Sequence, residues 1–206
     1  MGKAPMIRDV VSMAKEISMR KILMSAVAIF TMMMLATGSA MAKGGGDKGK
    51  NVKGFLGGTT SVTNVTYNGP QPFNITVETY SSGGMNAKPK ELGQGTYAIV
   101  ASQVWDLGAG CDPQAGGVIA SDTGTATLTS ASDGSTVTGD VAGFTCEIAP
   151  FDDTAYSTTL TMTITGGTGR FLGATGSIGI SGIQTLNTTT SDFDDRSTLK
   201  GKIVTP

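Results

Sequence analysis

Between residues 156 and 165 the chain reads YSTTLTMTIT, with apolar and polar positions alternating. Tyr156, Leu160, Met162 and Ile164 share one face. Ser157, Thr159, Thr161, Thr163 and Thr165 share the other. A period of two belongs to a β-strand with one dry and one wet face, and a helix with its 3.6-residue period cannot sort these residues in this way. Comparable runs occur at 63–67, 73–80, 95–105, 124–130, 135–141, 176–186 and 198–204, so the pattern predicts eight strands. In 73–80 the inward set is Phe73, Ile75 and Val77. Run 95–105 is apolar on both phases (Tyr97, Ile99 and Trp105; Ala98, Val100 and Val104), which predicts a strand covered on both sides or lying at a subunit contact. The separators carry turn chemistry: Asn68-Gly69-Pro70, Ser82-Gly83-Gly84, Ser132-Asp133-Gly134 and Gly166-Gly167-Thr168-Gly169. Eight short strands joined by such turns predict an all-β antiparallel sandwich or barrel, and a closed barrel leaves no open edge.

The N-terminal region has a different character. Met19 to Ala42 reads MRKILMSAVAIFTMMMLATGSAMA: a positive Arg20-Lys21 pair, an apolar stretch over 22–36, and an Ala40-Met41-Ala42 cleavage pattern. This is the layout of a cleavable export signal, and its apolar core is short for a membrane span. Residues 1–42 are therefore expected to be removed after Ala42; residues 1–18 fit the pattern poorly, so either translation starts at Met19 or they form an unusually long n-region. The mature protein is then periplasmic or extracellular, with no stable membrane span. The Gly/Lys-rich segment 43–57 reads as a flexible tail, and 58–206 as the barrel domain.

Composition narrows the function. Five of the 15 basic residues and two of the 16 acidic ones precede position 43, leaving 10 and 14 in the mature part. A mildly acidic surface repels phosphate backbones, so no nucleic-acid partner is expected. There is no His, which rules out a His-dependent triad and removes the commonest metal ligand. No metal and no cofactor is expected. Asp192, Asp194 and Asp195 could offer oxygens to calcium, but they lack the EF-hand spacing and read as solvated loop charge. Cys111 and Cys146 are the only cysteines, and in an exported chain such a pair reads as a disulfide. Tyr97 and Trp105 are candidates for an aromatic cavity wall, although core packing explains them equally well. Glu78 and Asp140 fall on the outward phase, and no catalytic residue is named.

From Ile164 to Gly182 the chain reads ITGGTGRFLGATGSIGISG, and from Gly124 to Gly143 GTATLTSASDGSTVTGDVAG. These segments resemble the allene oxide cyclase and dirigent β-barrel group, including its bacterial exported relatives. The resemblance implies an eight-stranded barrel with a central cavity, and a homo-oligomer. In that group the cavity steers phenoxy-radical coupling or shapes a reactive epoxide, by confinement and without a metal. The motif residues Gly166, Gly167, Gly169, Arg170 and Phe171 read as a structural turn: glycine supplies positive φ, Arg170 lies near the rim, and Phe171 returns to the core. A phosphate loop would need a Gly-Lys-Ser/Thr ending and a following helix. The expected function is binding of a small apolar or aromatic molecule in the cavity. One alternative is a dirigent- or cyclase-like enzyme, and another a structural protein with a filled barrel. Binding and structure rank ahead of catalysis because no carboxylates or tyrosines visibly converge.

Overall fold

The computed structural model describes residues 49–68, 74–90, 92–111, 118–148 and 154–206. The export signal, with Ala40 and Ala42, and residues 43–48 lie outside the described residues. Eight antiparallel strands close into a barrel: β1 (Lys50–Asn68), β2 (Asn74–Lys88), β3 (Gln94–Gly110), β4 (Val118–Ser130), β5 (Thr136–Glu147), β6 (Ala155–Gly167), β7 (Thr175–Leu186) and β8 (Phe193–Val204). Each strand pairs with its neighbour in sequence. The seam is β1 against β8, from Lys50↔Ile203 to Thr60↔Phe193. Beyond Thr60, β1 pairs only with β2, so this hairpin stands above the seam.

The alternation seen in the sequence is the inside–outside alternation of the barrel wall. On β6, Leu160, Met162 and Ile164 are buried, while Thr159, Thr161 and Thr163 are exposed. Leu128, Val137, Met162, Ile178 and Leu199 fill one half of the lumen and are at most 1% exposed. Charged side chains such as Arg196, Lys200 and Lys202 stand outside. This is the reverse of the polar-inside, apolar-outside arrangement of a membrane-spanning barrel. Among the described residues, no helix is long and apolar enough to cross a membrane.

Two expectations change. The strand that the sequence pattern starts at residue 63 begins at Lys50, inside the segment read as a flexible tail, and Val52 and Leu56 there are 2% and 3% exposed. Ser82-Gly83-Gly84, read as a separator, lies inside β2. The cause is common to both. Gly58 and Gly83 are register partners on β1 and β2, and a Cβ on Gly58 would stand 2.7 Å from the Gly83 Cα. The glycines let two strongly curved strands approach where any side chain would collide. They look like linker residues in sequence because they remove the apolar alternation.

The GGTGRF segment ends β6 and forms a short 3-10 turn, η1 (Gly169–Phe171). Gly169 has φ +57 and Phe171 is 4% exposed. Gly166 and Gly167 belong to β6 without positive φ, so only Gly169 of the three takes the left-handed conformation. Arg170 bonds Ser130 Oγ at 2.9 Å and Asp133 Oδ1 at 2.8 Å, while Asp133 accepts from the Ser135 amide at 3.0 Å. The motif thereby clamps the β4–β5 hairpin, whose Gly134 has φ +71.

Gly58→Ala should lower the unfolding free energy by about 1–3 kcal/mol through overpacking against the β2 backbone. Gly57→Ala, whose Cβ meets nothing within 4 Å, should stay within about 0.5 kcal/mol of the parent in the same chemical denaturation experiment. Equal effects would show that the close approach does not govern the β1–β2 pairing.

Candidate functional site

The last residues of β1, β3, β5 and β7 and the first residues of β2, β4, β6 and β8 lie at one end of the barrel, here called the mouth. Towards it the inward wall changes from apolar to polar. Each strand contributes one residue to a ring: Thr60, Ser81, Gln103, Asp122, Thr145, Thr158, Gln184 and Asp195, in order from β1 to β8. All are buried except Gln184, which is half-buried.

Hydrogen bonds divide the ring into three groups. Thr145 Oγ1 donates to Asp122 Oδ2 at 2.6 Å and lies 3.2 Å from Gln103 Nε2 and 3.1 Å from Thr158 Oγ1. With its proton committed to Asp122, Thr145 accepts from both. Across the lumen, Asp195 accepts from Tyr97 Oη at 2.9 Å and from Ser197 Oγ at 2.8 Å. Gln184 donates to Thr60 Oγ1 at 3.1 Å, and Thr60 shares a 2.7 Å bond with Ser81.

Asp122 is the exception. It is 2% exposed, and its Oδ1 is buried without a hydrogen-bond partner. A buried carboxylate oxygen left unpaired costs a few kcal/mol, so a position that retains one calls for a cause. Burial pushes the Asp122 carboxyl up to about 6, and the hydrogen bond from Thr145, with the Gln103 amide nearby, opposes this only in part. Burial also raises Asp195, against the opposing bonds from Ser197 and Tyr97. Burial, then the Asp195 charge and hydrogen bond, hold the Tyr97 hydroxyl far above its ordinary range, so it remains a proton donor in this pair.

One inward position closer to the mouth lies a second layer. Trp105 follows Gln103 on β3, Tyr156 precedes Thr158 on β6, and Phe193 precedes Asp195 on β8. The rings meet edge to face: Trp105 and Tyr156 centroids are 5.4 Å apart, Tyr156 and Phe193 5.5 Å. All three are half-buried. Glu147, 8% exposed, occupies the same level on β5. The Cys111–Cys146 disulfide, with 5.7 Å between Cα atoms, ties the end of the β3 segment to β5 beside Thr145. It closes a loop that contributes roughly 3–4 kcal/mol by the chain-entropy account. The bridge is consistent with an oxidising compartment.

Of the residues picked out in the sequence, Tyr97 and Trp105 both face the lumen, at different levels. Tyr97 reaches across to β8, and Trp105 belongs to the mouth layer. Asp192, Asp194 and Asp195 do not converge: Asp194 and Asp195 take opposite faces of β8, and Asp195 is a lumen residue, not solvated loop charge. Among the described residues, no three His, Cys, Asp or Glu side chains group to hold a metal ion. Asp140 is exposed and Glu78 is half-buried on the outward phase. Sequence reasoning missed Gln103, Asp122, Thr145 and Thr158, and placed Asp195 in a solvated loop. Extending each strand's phase would have found them: Gln103 shares its phase with Tyr97, Asp122 with Leu128, and Asp195 with Leu199.

The raised Asp122 carboxyl gives a signed pH effect. Between the ordinary carboxyl value of 3.8 and about 6 the folded chain binds more protons than the unfolded chain. Stability is therefore greatest at the acid side of this window and falls as pH rises through it, by about 3 kcal/mol for this group. Asp195 adds to it with the same sign. Urea denaturation at pH 4 and pH 7.5 should show this fall in the parent and a clearly smaller one in Asp122→Asn. An unchanged pH dependence in the variant would remove Asp122 as its source.

The chain matches no protein-family model and no curated protein.

Proposed function

We propose that this chain is an exported barrel protein that holds one small molecule with an aromatic or apolar body at its mouth. One observation carries this reading: a ring of buried polar side chains, one from each strand, lies under the Trp105–Tyr156–Phe193 aromatic layer and contains an unpartnered carboxylate oxygen on Asp122. A barrel serving only as a rigid body gains nothing from such a ring, because an apolar filling is cheaper. The closed end has such an apolar filling and the mouth does not. Aromatic walls with a few convergent polar groups are the usual composition of small-molecule sites. The A-x-A signal pattern and the disulfide support export.

A second reading follows from Asp122, Asp195 and Tyr97. The carboxylates and tyrosine that the sequence pattern left apart face one lumen, and a carboxyl near 6 is suited to proton transfer at neutral pH. This supports the alternative of a confinement enzyme like those of the allene oxide cyclase and dirigent group, which the motif resemblance suggests. Tyr80, Val100 and Val104 are exposed on the neighbouring outer faces of β2 and β3 and support self-association.

Native mass spectrometry of the protein from the exported fraction of its host tests the proposal. The expected spectrum shows a chain beginning at Lys43, with the two-hydrogen deficit of the disulfide and a small molecule at one copy per barrel. Trp105→Ala should weaken retention of that molecule about tenfold, the value of one large aromatic contact. A bare mass, together with no binding of aromatic probes to the folded barrel, would leave the structural reading in its place.

A further inference from the structure

We propose that the mouth of the barrel selects a small organic cation: an arylalkyl ammonium whose charged head donates to Asp122 Oδ1 and whose ring reaches the aromatic layer of Trp105, Tyr156 and Phe193. This rests on the small-molecule reading above and adds the chemical class of the ligand.

The first support is charge. Asp122, Glu147 and Asp195 point inward and are 2%, 8% and 5% exposed. All eight Lys and Arg among the described residues are exposed, and the chain has no His. Among the described residues, no Lys or Arg acts on Asp122 or Asp195, so these two buried carboxylates have no cationic side chain to balance them. At neutral pH Asp122 is mostly ionised.

The second support is the orphaned atom. Asp195 has a donor on each oxygen, from Tyr97 and Ser197. Asp122 has Thr145 on Oδ2, and Oδ1 is buried with none. An ionised carboxylate oxygen accepts only, so its partner must carry a hydrogen, and a charged donor forms the stronger bond. A metal ion is a poor fit, because no third acidic, His or Cys ligand gathers there among the described residues.

The third support is the spacing of the layers. Trp105, Tyr156 and Phe193 each stand two residues from the polar ring on their strands, a separation of about 6.5–7 Å. An ammonium head hydrogen-bonded at the level of the polar ring, followed by a two-carbon spacer, brings an aryl ring to the level of these side chains. Aromatic faces also attract the ammonium itself through their quadrupoles, whereas an anionic ligand would meet three carboxylates.

The test is calorimetric titration of the disulfide-bonded protein at pH 7.5 with three probes of one shape: 2-phenylethylammonium, neutral 2-phenylethanol and anionic 3-phenylpropionate. The expected order is ammonium at least tenfold tighter than alcohol, with the carboxylate not bound. Asp122→Asn should cut ammonium affinity at least tenfold and leave alcohol affinity within twofold. Equal affinity of the parent for ammonium and alcohol would overturn the cation proposal while leaving the small-molecule reading intact. Binding of none of the three would overturn both. The comparison within the parent decides the matter even if the variant does not fold.

Discussion

An eight-stranded barrel has a lumen only wide enough for its own side chains or one small guest, and this narrow cross-section governs the rest of the molecule. Every inward side chain competes with seven others at its level. At the closed end the competition is settled by close apolar packing of Leu128, Val137, Met162, Ile178 and Leu199. Where two backbones crowd together, as at Gly58 and Gly83, the wall gives up its side chains. The same narrowness brings groups far apart in sequence within hydrogen-bonding reach, so that Tyr97 on β3 meets Asp195 on β8.

The mouth obeys the same geometry with different chemistry. Seven of its eight polar residues are too buried to be solvated by bulk water, and Gln184 is half-buried. The hydrogen bonds among Gln103, Thr145 and Thr158, and those to Asp195, offset most of the desolvation. What they leave uncompensated is concentrated on one oxygen of Asp122. Incomplete satisfaction in an otherwise complete network marks a place where the fold accepts a stability cost, and such costs gather at functional positions.

The fold was legible wherever apolar and polar residues alternate. β6 is the clearest case, the runs in β4 and β7 fall within their strands, and the run 135–141 starts one residue before β5. The disulfide pairing followed from a count of two cysteines. Legibility failed where the alternation lost its contrast. In β1, inward glycines left only Val52 and Leu56 to carry the pattern, so the strand looked like a tail. In the ring, Thr145 and Thr158 are inward while chemically similar Thr159 and Thr161 are outward, and residue type alone cannot tell them apart. Asp195 stands next to Asp194 in a run resembling a polar loop, yet the two occupy opposite sides of the wall. Tyr97 and Trp105 were picked out by their aromatic side chains, because β3 is apolar on both phases and its pattern alone does not say which phase faces the lumen. They serve different layers because they stand well apart along β3.

The next-neighbour order of the strands has a consequence for how the chain folds. Seven of the eight pairings join segments that follow one another, and each can zip from its own hairpin. The eighth, between β1 and β8, joins nearly the two ends of the domain and gains nothing until the intervening sheet has curled. Folding therefore has a late, entropy-limited closing step, and until it occurs the strand containing Val52 and Leu56 and the strand containing Leu199 and Ile203 are bare edges able to pair with another chain. The step most exposed to aggregation is thus the joining of the barrel's first and last strands.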